Sequence, residues 1–213
     1  MAQAPANPGR DCRLCPRLAA FRAGNRVREP AWFNAPVPGF GAPSARLLVV
    51  GLAPGLKGAN RTGRPFTGDY AGDLLYATMK KFGFAEGNYG ERPDDGLRLK
   101  DAFITNAVRC VPPENKPLPA EVSTCRQFLA AQIAALPGLK IILALGAVAH
   151  GSVLKVFGVK AAGEKFAHGA CHALPGGLAL VDSYHCSRYN TSTKRLSPAM
   201  FEAVFESVRK TLS

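Results

Sequence analysis

Four of the six cysteines in this 213-residue chain form two pairs, Cys12-x-x-Cys15 and Cys110 with Cys125. A CxxC turn can set two thiolates on one metal or on adjacent irons. Pro112, Pro113, Pro117 and Pro119 stiffen the chain between the second two. All-cysteine ligation suits tetrahedral zinc or a [4Fe–4S] cluster, and spacing alone does not separate them. Residues 1–10 contain no leader-like apolar stretch, so a reducing compartment is expected, where cysteine pairs serve metals more often than disulfides. Cys171 and Cys186 lack such pairing and read as incidental thiols.

Polar groups suited to recognition and catalysis lie in three other places. Gly51-Leu52-Ala53-Pro54-Gly55 leads into a basic, glycine-rich loop that runs from Lys57 through Arg61, Arg64 and Phe66 and closes on Asp69. Backbone N–H groups in such a loop can cradle an anion or approach a flat ligand closely. It is not a Walker loop, and Gly39-Phe40-Gly41 with Ser44 makes no dinucleotide fingerprint. Asn106, in Thr105-Asn106-Ala107-Val108-Arg109, offers a donor and an acceptor suited to a base edge. His185 sits in a small polar loop with Arg188, Tyr189, Lys194 and Arg195 just beyond it. Those cations can meet phosphates, and Tyr189 can stack on or wedge between bases. His150, His168 and His172 read as structural. His168-x3-His172 around Cys171 suggests a second metal site, but nothing nearby in the chain completes it.

These groups need a scaffold, and the apolar pattern supplies one. Short apolar runs over 46–52, 102–108, 139–145 and 178–182 read as buried strands. Helical spacing covers 72–82, 119–136, 147–157 and 198–212. Strand–helix alternation of this kind predicts an α/β fold of three layers, αβα, with a short, mostly parallel four-stranded sheet and helices on both faces. One domain over 1–213 is expected, with residues 1–44 as an N-terminal segment clamped to it through Cys12 and Cys15. Two prolines within 31–39 predict an extended wrap there rather than a core element. Ligands of such sheets sit beyond the strand C-termini, where each polar motif falls.

The charge narrows the partner. Lys and Arg number 27 against 15 Asp and Glu, a net +12. Such a field attracts polyanions, nucleic acid before an acidic membrane surface. Apolar residues at 47% with 20% charged exclude a disordered chain, and no uncharged apolar run reaches the roughly 18 residues of a membrane span. A monomer in the cytoplasm, at the nucleoid in a bacterium, is expected.

Taken together these motifs resemble the family 5 (type B) members of the uracil-DNA glycosylase superfamily. The resemblance runs in order from Cys12 to Leu196, through Gly51–Gly55, Asn60–Asp69, Thr105–Cys110 and Ser183–His185. Ala53 stands where family 4 members usually carry Glu, and family 5 shares that lack of a polar group. Cys186 departs from the usual His-Pro-Ser ending. The resemblance implies excision of uracil, and of other deaminated bases such as hypoxanthine and xanthine, from DNA, leaving an abasic site. It implies a structural [4Fe–4S] cluster on Cys12, Cys15, Cys110 and Cys125. Phe66 would stack on the flipped base, with Ala53 and Gly51 lining its site and Asn106 reading its edge. His185 would stabilise the departing base, and Asp69 would orient water or stabilise the cationic sugar. Arg61, Arg64, Arg188, Tyr189, Lys194 and Arg195 would contact DNA. The alternative is a non-catalytic, cluster- or zinc-bearing nucleic-acid-binding protein on the same fold. A zinc deaminase lacks its His-x-Glu and Pro-Cys-x-x-Cys pair here.

Overall fold

Continuous apolar runs in the middle of the chain form parallel strands buried on both faces. β2 (Leu47–Gly51), β5 (Ala102–Asn106), β6 (Ile141–Leu145) and β8 (Leu178–Ser183) lie side by side in the computed structural model, which describes residues 7–213. The expected leader-free start falls partly on residues 1–6, outside the described residues.

The sheet has six strands, not four. Two antiparallel edges complete it, β1 (Phe40–Gly41) beside β5 and β7 (Cys171–Leu174) beside β8, in the order β1-β5-β2-β6-β8-β7. Neither edge carries a continuous apolar run. β1 has two residues, and β7 alternates exposed and buried positions because one of its faces meets solvent. A separate two-stranded ribbon pairs β3 (Ala85–Glu86) with β4 (Arg98–Leu99).

Alternation along β2 divides the core. Leu47 and Val49 pack on one face with Leu75 and Met79 of α3 (Tyr70–Lys81) and Phe201 and Phe205 of α7 (Pro198–Leu212). Leu48 and Val50 face the other way, onto Leu129 of α4 (Pro119–Ala134) and Val153 of α5 (Ala147–Val156). This is the expected three-layer arrangement. Each fully buried aliphatic side chain contributes about 1.5–3 kcal/mol.

The N-terminal segment contains a helix that apolar spacing did not reveal. α1 (Pro16–Arg28) buries Leu18, Arg22 and Asn25, so its inward face is mostly polar. Arg17 clamps it to α4 through a two-pronged contact with Glu121, at 2.8 and 2.7 Å. The 31–39 segment is irregular, as its prolines dictate, but Ala35 and Val37 are buried; the wrap contributes to the core. Two short helices, α2 (Ala59–Thr62) and α6 (Arg188–Ser192), interrupt the loops after β2 and β8.

Candidate active site

Parallel register brings the motif loops to one end of the sheet. Gly51 pairs with Asn106 and Leu145 with Ser183, so the loops after β2, β5, β6 and β8 rise together. Among them lies a small cavity lined by Ala53, Phe66, Asp69, Asn106 and His185. It shares Ala53, Asp69 and His185 with a wider groove of about 670 Å³, a volume usual for ligand sites.

Gly51 makes the cavity wall possible. A Cβ there would collide with Asn106 Oδ1 and lie 2.6 Å from Phe66 Cζ. Phe66 has a left-handed backbone, φ 52°, costly for a bulky residue. Its neighbours hold it there: Tyr76 OH donates to Pro65 O at 2.6 Å and Tyr89 OH to Phe66 O at 3.3 Å. The Phe66 and His185 rings face each other, centroids 5.8 Å apart.

Asp69 serves two ends. It caps α3 by accepting from Gly72 N at 3.3 Å, while lining both cavities. A Cβ on Gly55 would stand 2.9 Å from its Oδ2, and one on Gly58 would clash with it, so the glycines let the loop close over the carboxylate. Burial raises its pKa above the usual carboxylate value.

His185 projects from the end of β8, its carbonyl held by Asn190 Nδ2 at 2.8 Å. Burial pushes its pKa down to about 4, so the imidazole is neutral near pH 7. Its Nδ1 is sealed from solvent with no partner among the described residues. A neutral ring carries one N–H, and the residue lines the cavity. Cys186, in place of proline, is fully buried with its thiol toward Ala71 O at 3.4 Å. That contact ties the turn to α3.

The cations divide. Lys57, Arg61, Arg188, Lys194 and Arg195 are exposed in the segments that follow β2 and β8, and Tyr189 is 72% exposed on α6. Arg188 lies over the Tyr70 ring and borders the groove, and Arg195 lies over Tyr184. Arg64 does not join them. It is buried, with both terminal nitrogens on the Asp95 carboxylate at 2.8 and 2.7 Å, beneath Phe40, Tyr76 and Tyr89. Its expected DNA contact is therefore corrected: the guanidinium is already paired and shut away from phosphates. Breaking such a buried pair leaves a charge stranded, at about 3–5 kcal/mol. Arg64→Ala should lower Tm sharply in thermal melts, with an unchanged salt dependence of DNA binding. Arg64 also holds the Asp95 carboxyl well below the usual carboxylate range. The stability this adds is complete above the unfolded carboxyl pKa and is lost as pH falls toward the folded one.

The four paired cysteines converge. Cys12, Cys15, Cys110 and Cys125 line one apolar cavity with Leu18, Val108 and Phe128. Arg22 Nη1 points to Cys110 Sγ at 3.5 Å, and the Arg109 amide to Cys125 Sγ at 3.4 Å. N–H groups aimed at sulfur suit thiolates that carry a metal, so the donor set fits an all-cysteine centre.

Motif reading missed two features. Asn115 reaches the groove from the proline-rich loop, where Glu114 and Asn115 both adopt left-handed φ, 55° and 56°. The tolerance of Asn for that conformation was the available signal. His172 does not join His168 and Cys171. It bonds Asp182 on the neighbouring strand β8 and packs against His150 of α5.

A small cavity that adjoins a wide groove at the C-terminal end of a parallel sheet, bordered by a neutral imidazole and a cationic rim, defines a nucleic-acid glycosylase type of site. A family model described as uracil DNA glycosylase superfamily matches residues 38–209, and the chain belongs to that superfamily. By that membership it is a hydrolytic DNA glycosylase. It is similar to proteins named Type-5 uracil-DNA glycosylase. One from Thermus thermophilus is 46% identical, covering 93% of each chain. One from Mycobacterium leprae is 41% identical over 93% of this chain and 90% of its own, and one from Pyrobaculum aerophilum 37% over 88% and 83%. No helix among the described residues is long and apolar enough to cross a membrane.

Proposed function

We propose that this chain excises uracil from DNA, with other deaminated bases such as hypoxanthine and xanthine as further substrates, and leaves an intact abasic site. The meeting of Phe66, Asn106, Asp69 and a neutral His185 around one cavity carries this reading. A base inside a duplex is unreachable, so the nucleotide is extruded at a cost of a few kcal/mol, least where the base is mispaired. Phe66 and the Gly51–Ala53 backbone receive the base, and Asn106 reads its edge. Breaking the N-glycosidic bond leaves positive charge on the sugar and negative charge on the base. The His185 N–H stabilises the base anion. Asp69, close to the same cavity, orients the attacking water or stabilises the cationic sugar.

The cysteine quartet would hold a structural [4Fe–4S] cluster, which would pin the N-terminal segment and the Cys110–Cys125 loop together. Iron and sulfide near four each per chain would support this, and a colourless protein with one zinc would overturn it. The zinc outcome would leave the glycosylase reading untouched.

Excision is tested with oligonucleotides bearing one uracil, hypoxanthine or xanthine, followed by alkaline cleavage of abasic sites. No product with any of them would favour a non-catalytic binding protein. Among the described residues no lysine lines either cavity, so borohydride should trap no covalent adduct. Arg188→Ala should weaken DNA binding and reduce its salt slope by about 1, the signature of one lost phosphate contact. An unchanged slope would remove Arg188 from the DNA surface.

A further inference from the structure

Behind the strand end that carries His185 lies a buried group that the mechanism above does not use. His150 from α5, His172 from β7 and Asp182 from β8 are all buried, and Glu164 reaches them from the 157–170 loop. His150 Nδ1 lies 2.8 Å from Asp182 Oδ1 and its Nε2 2.9 Å from the Glu164 carbonyl. His172 Nδ1 lies 2.7 Å from Glu164 Oε2 and its Nε2 2.9 Å from Asp182 Oδ2.

A proton count follows from these partners. A carbonyl oxygen only accepts, so the His150 Nε2 contact holds a proton. Each of the other three joins a ring nitrogen to a carboxylate oxygen, and two bare lone pairs do not approach to hydrogen-bond distance. Four contacts therefore hold four protons, and because imidazole is a stronger base than a carboxylate, the rings carry them. Two neutral imidazoles and two carboxylates supply only two. The group carries two extra protons, and its charges then cancel. A metal between His150, His172 and Asp182 would need those nitrogens bare and further from the carboxylate oxygens. The spacing favours protons.

The group is wired to the active-site strand. Asp182 precedes Ser183, Tyr184 and His185 directly. The loop that supplies Glu164 runs back along β8: Gly169 N donates to Asp182 O at 2.8 Å, Asp182 N to Ala170 O at 2.9 Å, and Ala167 N lies 3.3 Å from Asp182 Oδ2. His168 of that loop accepts the Tyr184 N–H at Nδ1, 3.2 Å, and stacks on the Tyr184 ring at 5.0 Å. Phe166 packs edge-on against His150. The titratable side chains facing the group are thus His150 on α5, Glu164 on the loop, His172 on β7 and Asp182 on β8. His168 faces Ser183 and Tyr184 instead.

The geometry points to Asp182, His150, His172 and Glu164 as a proton-loaded brace that fixes the 164–170 loop on β8 and thereby positions His185. They are positioning residues for base excision; this role rests on the glycosylase reading, whereas the proton loading does not. The carboxylates also raise the pKa of His172 against the opposing effect of burial. A histidine raised in this way contributes stability below its unfolded pKa and loses it as pH rises through the folded one.

Spectroscopy, amide exchange, kinetics and metal analysis of the full chain test this. Long-range ¹H–¹⁵N spectra of the wild type should show His150 and His172 doubly protonated at neutral pH, with His185 neutral. Neutral His150 and His172 rings would overturn the brace. In Asp182→Asn, amides of 164–170 should exchange faster. Single-turnover excision should fall about tenfold or more through a misplaced His185, with the affinity for uncleavable DNA within about twofold of wild type. The wild-type rate should decline at alkaline pH, and His172→Gln should lose that limb. Wild-type exchange, rate and pH profile in Asp182→Asn would overturn the positioning role. Stoichiometric zinc in the purified protein, absent from His172→Gln, would overturn the brace in favour of a metal site. If the wild type excises no base, the glycosylase reading falls, and ring protonation and amide exchange still decide the brace.

Discussion

His185→Ala should lower single-turnover excision of uracil by about 10²–10³, the loss expected when one preorganised donor to a developing anion is removed. Affinity for uracil-containing DNA should hardly move, because the ring lies at the cavity wall and not on the cationic rim. The size of the effect follows from burial. The ring lines a small cavity, so a hydrogen bond made from it there is little weakened by competing solvent. Its low pKa, about 4, means the ring enters the reaction neutral. The wild-type rate should therefore show no inflection from this residue near pH 6.5, the ordinary histidine value. Single-turnover kinetics across pH test both statements. A variant within a few fold of wild type would exclude His185 as the leaving-group donor. An acid limb near the ordinary value that vanishes in the variant would show the ring to be charged in the working range.

Gly51→Ala should cost about 10² in rate, as a misplacement of about 1 Å can do. The new methyl would stand 2.6 Å from Phe66 Cζ and would clash with Asn106 Oδ1. Both are side chains and can move, so the fold should survive with a modest fall in Tm. What moves is the pair proposed to receive and read the base. The Phe66 ring must shift without its backbone, since the left-handed conformation there is held by Tyr76 and Tyr89 through Pro65 O and Phe66 O. The defect should appear in the excision step and in the discrimination between uracil and cytosine, with nonspecific DNA binding unchanged. Wild-type turnover in Gly51→Ala would mean that neither side chain needs its observed place.

The central strands could be read from the chain because parallel strands between two helical layers are apolar at every position, as in Leu47–Val50 and Ile141–Leu145. β1 and β7 could not. Edge strands are short or half-solvated, and their identity lies in pairing with a distant strand. α1 escaped for the opposite reason: its buried face includes Arg22, which acquires partners only once Cys12 O and Cys110 surround it, and Asn25, whose backbone carbonyl accepts from Asn34 Nδ2. Arg64 shows the same limit at a site. Its place in a basic, glycine-rich loop resembles that of Arg61, yet Asp95, 31 residues later, takes its charge.

By itself, the sequence determined which chemical groups this protein possesses and in what order: the cysteine pairs, the loop ending on Asp69, Asn106, His185 and the excess of cations. Those are local properties of residue type and spacing. Tertiary structure alone decided their state. It set Arg64 against Asp95, made the cap residue Asp69 also a wall of the cavity, and gathered His150, Glu164, His172 and Asp182 behind the site. The reason is physical. Burial and hydrogen-bond partners are fixed by residues far apart in the chain, and they determine whether a charge is free, a ring is neutral or a carboxylate is paired.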